Sequence, residues 1–222
     1  MDWPTFLEPI SLSIQVSLIA SVIMLVLSVF IAWRMARMRF FGKSIVDAIL
    51  MLPLVLPPTV IGFILLVVFG RRSWPGKLYE KLFGGPIIFT WEAAVIAAVV
   101  VAFPLAYRTM KAGFEGIDRS LENSARVYGA SEWQVFRYIT LPLAFRSVTT
   151  GYILGFARGL GEFGATLMIA GNIPGRTQTI PTAIYVAMDG GSMRMAWAWA
   201  GSMVALSFIM LLIVNRITKE DH

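Results

Sequence analysis

From Ile10 to Trp33 the chain reads ISLSIQVSLIASVIMLVLSVFIAW, 24 residues without a charged side chain. As an α-helix such a run is about 36 Å long, enough to cross the ~30 Å hydrocarbon core of a bilayer, and it is far too long for a strand. Four further apolar runs follow, at roughly 45–69, 91–107, 147–170 and 196–215. The expectation is an all-α membrane protein of about five transmembrane helices, folded as one domain over residues 1–222.

Composition agrees with that reading. Of the 222 residues 57% are hydrophobic and only 14% charged, with a mean hydropathy of +0.73. A soluble domain of this size has an apolar share nearer half. Cysteine is absent and the single histidine, His222, is the last residue. Disulfides, zinc ribbons and thiol nucleophiles are therefore excluded, and metal enzymology nearly so. The net charge of +6 does not indicate nucleic acid, because the basic residues sit in short clusters between apolar runs and not along one polar face.

Those clusters carry topological information. One set of loops holds Arg34, Arg37, Arg39, Lys43, Arg108, Lys111, Arg119, Arg126, Arg137, Arg146, Arg216 and Lys219, twelve in all; the alternate loops hold Arg71, Arg72, Lys77, Lys81, Arg176 and Arg194, six in all. Cytoplasmic loops carry the excess of Lys and Arg. The first set is thus expected inside, with the N-terminus outside and the C-terminus in the cytoplasm. Asp2 and Glu8 occupy the place of a basic n-region and Arg34 follows without a small-residue cleavage pattern, so the first run is expected to remain as a span. The segment 171–195 is polar and Gly-rich, and no sixth spanning helix is expected there.

The longest inner loop, 108–146, mixes charges with apolar side chains. Asp118 to Tyr128 (DRSLENSARVY) forms a short helix that Gly129 ends, because glycine takes the left-handed conformation without a Cβ clash. Ser131 and Gln134 stand in capping-box register and start a second helix to Tyr138. Pro142 falls where the fourth span opens, a position that tolerates a missing N–H. This pair of helices is expected to present Val127, Tyr128, Trp133 and Phe136 to a partner; the plain alternative is an interfacial helix pair without one.

The series Asn123-Ser124-Ala125, Gly129, Ile139, Leu141 and Pro142 resembles the EAA loop of ABC importer permeases, whose triplet lies six residues before a glycine and whose Ile-x-Leu-Pro begins ten residues after it. Asn123 and Ser124 replace the first two residues of the triplet, and Glu122 is displaced by one position. In that family the loop is the coupling helix that inserts into a groove on an ATPase subunit. The resemblance therefore marks Glu122, Ala125, Val127, Tyr128, Gly129, Ser131, Ile139, Leu141 and Pro142 as candidate coupling residues.

Within the membrane, Leu52 to Val60 (LPLVLPPTV) places three prolines at bilayer depth, each removing one backbone bond and leaving acceptors at Ile49, Pro53 and Leu54. Broken helices of this kind line transporter cavities, although a kink used only for packing is the alternative. The fourth span carries Gly151, Gly155 and Gly159 at four-residue spacing, which lets another helix approach closely. Arg158 and Glu162 stand four apart on one face. An unpaired Arg at mid-membrane costs about 2.5–3.5 kcal/mol on insertion scales, so both are expected to face protein or water and to pair, unless they form an interfacial salt bridge. The segments PLVLPPTV (53–60), RGLGEFGAT (158–166) and GNIPGRTQT (171–179) are similar to those of molybdate permeases. Pro57, Pro58, Thr59, Arg158 and Glu162 are the candidate pathway residues.

Two nucleotide-like motifs are set aside. Gly159 to Gly164 fits GxGxxG but lies within an apolar helix and not after a strand. Gly70 to Lys77 has five residues between its glycines where a phosphate loop has four, and Leu78 stands where Ser or Thr would bind magnesium. No nucleotide site is expected in this chain. The resemblance implies a bacterial inner-membrane permease for an oxyanion, molybdate first and sulfate or tungstate as alternatives. It implies a homodimer, two ATPase subunits holding ATP and Mg, an external oxyanion-binding protein, contact with membrane lipid and none with nucleic acid. A self-sufficient channel or secondary transporter, and a non-transporting scaffold, are the rivals. The basic residues Arg71, Arg72, Lys77 and Lys81 are open to three readings: anion attraction, contact with an acidic binding protein, or solubility.

Overall fold

A computed structural model describes residues 3–219, the side chains of 213–215 and 217–219 excepted. Asp2, His222 and the side chain of Lys219, which entered the sequence reading, lie outside the described residues. Among the described residues every regular element is helical, in the order α1 (Trp3–Arg37), α2 (Lys43–Val55), α3 (Pro58–Phe69), α4 (Trp74–Phe83), α5 (Trp91–Glu115), α6 (Arg119–Val127), α7 (Glu132–Val135), a π-helical turn (Phe136–Thr140), α8 (Leu141–Leu143), α9 (Phe145–Leu160), α10 (Gly164–Ala170), α11 (Ile180–Asp189) and α12 (Met193–Lys219). Three helices, α1, α5 and α12, are long and apolar enough to cross a membrane unbroken, and counting each bent pair, α2–α3 and α9–α10, as one span makes up to five.

The core is a three-helix contact of α1, α5 and α9 built from small side chains. Helix α5 contributes Ala93, Ala97, Ala98, Ala102 and Ala106, and α1 contributes Ser13, Ser17, Ala20, Ser21 and Ala32. Helix α9 meets them with its glycine row: a methyl group at Gly151 would stand 3.0 Å from the Ala106 carbonyl oxygen, and one at Gly155 2.8 Å from Met24 Cε. Lipid tails are as apolar as leucine, so helix association in a membrane depends on such close backbone approach and its dispersion contacts.

The second span is not one irregular helix but two helices at 115°. Its cause is local. The residue before a proline is driven out of the helical region, and the Leu56-Pro57-Pro58 sequence does this twice, giving Leu56 ψ 143° and Pro57 ψ 138°. Pro58 then opens α3, where its missing N–H costs nothing. The start of α2 is fastened to the end of α5: Lys111 Nζ donates to Asp47 Oδ2 at 2.6 Å and the Tyr107 hydroxyl donates to Asp47 Oδ1. Only seven residues join α4 to α5, so α3 and α4 finish at the other end of α5.

The fourth span also divides, α9 and α10 meeting at 59°. Three glycines between 159 and 164 weaken the helix there, and Glu162 Oε1 accepts the Ala165 N–H at 2.8 Å, offering the backbone a cap in place of continuation. Helix α10 packs on α3, where Gly62 faces Ala165 and Met168.

No sixth span lies in segment 171–195, as expected, but the segment is not without a helix. Segment 171–195 contains α11, although its ten residues make only about 15 Å and cannot span a bilayer. Its Ile180 N–H donates to Ser13 Oγ at 2.8 Å, and Ile180, Ala183 and Ala187 pack with Trp199 of α12 and with Phe6 and Ile10 of α1. The apolar positions repeat at helical spacing, but glycine-rich flanks conceal them.

Two glycine-to-alanine substitutions test the packing. At Gly62 the new Cβ would lie 2.8 Å from Ala165 Cα, whereas at Gly201 of α12 nothing lies within 4 Å. Gly62→Ala is expected to destabilise the detergent-solubilised protein by about 1–3 kcal/mol. Gly201→Ala is expected to be neutral or to stabilise by up to ~1 kcal/mol, both read as midpoints of thermal unfolding in one detergent.

Candidate functional site

Helix α6 and helix α7 stand at the end of the molecule where α1, α5 and α12 finish and α9 begins. Asp118 caps α6 by accepting the Ser120 N–H at 2.9 Å, and that bond holds its carboxyl below the usual carboxylate range. The helix closes in a Schellman motif: Gly129 N–H donates to the Arg126 carbonyl and Ala130 N–H to the Ala125 carbonyl, both at 3.0 Å. Gly129 has φ +89° with open space around it, so glycine is required by backbone geometry and not by crowding. Both halves of the Ser131–Gln134 capping box are formed.

A second brace lies outside the caps. Arg126 binds Glu132 in bidentate fashion, at 2.6 and 3.0 Å, and reaches Asn123 Oδ1 at 2.9 Å. The guanidinium hydrogen bond holds the Glu132 carboxyl below its usual range. The two helices therefore form one stiff corner. At its tip Val127 is 85% and Tyr128 92% exposed. An open groove beside the tip is lined by Ala125, Gly129, Gln134, Tyr138 and Ile139. Pro142 is exposed and Leu141 half-buried in the turn that leads to α9.

Two expectations change here. The second helix is not regular to Tyr138 but passes from α7 into the π-helical turn after Val135. Phe136, expected to face a partner, is 3% exposed, packed against Phe30, Trp33 and Trp133. Phe30 and Trp33 come from distant α1, so the local pattern of the loop does not reveal them. Trp133 keeps an exposed edge.

The five candidate pathway residues fall at the two breaks, and the breaks meet. A Cβ at Gly164 would lie 3.1 Å from Pro58 Cβ and 3.4 Å from Thr59 Cγ2. Pro57 and Thr59 are exposed and Pro58 is half-buried. Arg158 Nη1 donates to Glu162 Oε2 at 2.9 Å, with Glu162 buried and Arg158 one-third exposed. The freed helix ends are not rows of open amides: Pro57 and Pro58 have no N–H, and Glu162 occupies that of Ala165.

The residue that organises the loop is Glu122. It is 1% exposed, and its Oε1 accepts Arg37 Nη2 and Thr140 Oγ1, each at 2.6 Å. One carboxylate thus joins the end of α1, the middle of α6 and the π-helical turn before α9. The turn matters to this contact, since it contains Thr140 itself. Arg37 and Thr140 carry no signal in the sequence that links them to Glu122, from which Arg37 is 85 positions away. Removing one member of a buried pair leaves the other charge uncompensated, at a cost of about 3–5 kcal/mol. Glu122→Gln is therefore expected to lower the unfolding midpoint and expose loop 117–143 to protease. The double variant Arg37→Met/Glu122→Gln is expected to lose less than the sum of the single losses, a non-additivity that thermal unfolding of the four proteins measures.

Comparison with known proteins agrees with this architecture. Residues 10–219 match the family described as "Binding-protein-dependent transport system inner membrane component". The chain is 53% identical over 217 residues to the putative molybdenum transport system permease protein YvgM of Bacillus subtilis, covering 98% of this chain and 95% of the relative. It is 44% identical over 218 residues to the molybdenum transport system permease protein ModB of Escherichia coli K12, covering 96% and 95%. A probable sulfate transport system permease protein of Chlorella vulgaris is 32% identical, covering 92% and 76%. Among solved structures, a bacterial alginate importer matches with TM-score 0.79 at 15% identity, over 97% of this chain and 79% of that one. The MetNI methionine transporter in an inward-facing conformation matches with TM-score 0.67 at 15% identity, over 99% of both chains. With its apolar helices, broken and unbroken, this chain belongs to the binding-protein-dependent transport system inner membrane components and is a multi-pass inner-membrane protein.

Proposed function

We propose that this chain is the permease of an ABC importer that moves molybdate into the cytoplasm, with the N-terminus outside and the C-terminus inside. The observation that carries the reading is the Val127-Tyr128 tip, almost fully exposed on a corner fixed by caps, by Arg126–Glu132 and by buried Glu122. An exposed apolar tip on a rigid support suits insertion into a partner. The partner is an ATPase subunit holding ATP and Mg, one for each copy of a permease homodimer, and a soluble binding protein delivers the anion from outside. The molybdenum transport relatives, at 53% and 44% identity over nearly the full chain, support the substrate.

Closure of the ATPases moves each rigid corner as a body. Glu122 passes that displacement to α1 through Arg37 and to α9 through Thr140, and α9 ends at the Arg158–Glu162 break. Pro57, Pro58 and Thr59 border that break, so a change in the α9–α10 angle alters the surface the anion meets. Arg158, with part of its guanidinium free of Glu162, is the cation the anion passes; selectivity resides mainly in the binding protein.

The test is reconstitution of the permease with its ATPase and binding protein in proteoliposomes. Molybdate is expected to stimulate ATP hydrolysis and its own uptake, and Tyr128→Asp is expected to reduce uptake about tenfold or more by weakening ATPase docking. Molybdate flux through the purified chain without an ATPase would refute the importer reading. Stronger stimulation by sulfate than by molybdate would transfer the assignment to sulfate, the other tetrahedral dianion, which the 32% relatives represent.

A further inference from the structure

The seven tryptophans mark two levels. Trp33 and Trp133 lie at the end that carries the long loop. Trp3 opens α1, Trp91 opens α5 and Trp74 opens α4, all toward the opposite end. Trp197 and Trp199 join them near the start of α12, since Trp199 stacks on Phe6 and donates to its carbonyl at 3.0 Å. Tryptophan concentrates at bilayer–water boundaries, so the exposed Trp3 and Trp197, with the half-buried Trp91, mark the boundary remote from the loop.

Helix α4 lies at that boundary with two distinct sides. Its inner side presses Gly76 against the end of α3, where a Cβ would stand 2.1 Å from the Gly70 carbonyl oxygen. Its outer side carries Trp74, Leu78 and Leu82 at four-residue intervals, 76%, 42% and 68% exposed. Lys77 and Lys81 form the adjacent exposed row, and Arg71 and Arg72 precede the helix. Glu80 is the single acid from 71 to 83, and its approach to Arg71 at 3.9 Å is between exposed groups, an ion pair of little strength. An aqueous surface disfavours the apolar row, and hydrocarbon disfavours the lysines. A headgroup layer accommodates both, taking the apolar stripe below and the snorkelling ammonium groups above.

We propose that α4 is an interfacial anchor that lies in the leaflet remote from the long loop and selects anionic phospholipid through Lys77, Lys81, Arg71 and Arg72. Four cations against one acid provide the charge complementarity, and alignment with the tryptophan level places them at headgroup depth. Because α4 follows α3 across Gly70, the anchor holds one end of the helix whose other end is the Pro57 break.

The test uses the full chain in nanodiscs of zwitterionic phospholipid mixed with phosphatidylglycerol, with the binding protein added. A photo-crosslinker replaces Leu78, and retained phosphatidylglycerol is counted by native mass spectrometry. Crosslinks are expected on lipid. Each lysine near an anionic surface is worth roughly fivefold in affinity. Lys77→Gln/Lys81→Gln is thus expected to lower phosphatidylglycerol retention at least about fivefold, while Lys77→Arg/Lys81→Arg retains it. Crosslinks to the binding protein or to a second copy, or retention unchanged by the glutamine substitutions, would overturn the proposal. Neither readout depends on which anion is transported.

Discussion

A methyl group at Gly151 would lie 3.0 Å from a carbonyl oxygen of α5, and the remainder of the molecule is arranged around helices held that close. In hydrocarbon there is no solvent for apolar side chains to escape, so bulky residues gain nothing by turning inward. Alanine, glycine and serine therefore make the centre, while leucine, isoleucine and phenylalanine of α1, α3 and α12 face outward. This inversion of the soluble pattern is why exposed apolar area on this chain is not a docking signal by itself.

The frame is stiff where it is dry and adjustable where the helices break. The Pro57-Pro58 pair and the glycines of 159–164 make the two breaks, and the α3–α10 contact at Gly62 and Gly164 brings them together. Each break has its own means of satisfying backbone groups. At α10 the carboxylate of Glu162 both caps Ala165 and holds Arg158, so a charge pair that is costly in the membrane also performs the work of a helix cap.

Apart from Arg158–Glu162, the ionic contacts among the described residues lie towards the ends. Asp47 ties α2 to α5, and Glu122 ties α6 to α1 and to the π-helical turn. This buried carboxylate holds three elements together, because each partner sits at hydrogen-bond distance and the low dielectric penalises separation. Caps and the Arg126–Glu132 clamp then make the corner above it move as one piece.

Much of this was legible in the chain. Apolar length marked the long helices α1, α5 and α12, and adjacent prolines marked the first break because their effect on φ, ψ and the N–H is local. Gly129, Ser131 and Gln134 announced a helix end and a helix start for the same reason: capping acts within four residues. Tertiary structure alone decided the rest. Phe136 turned inward because α1 supplies Phe30 and Trp33, α11 formed because Ser13 and Trp199 receive it, and Glu122 became the hub because Arg37 and Thr140 converge on it. Covalent sequence fixes which groups need partners, but groups many residues apart find one another only when packed helices bring them within a few ångströms.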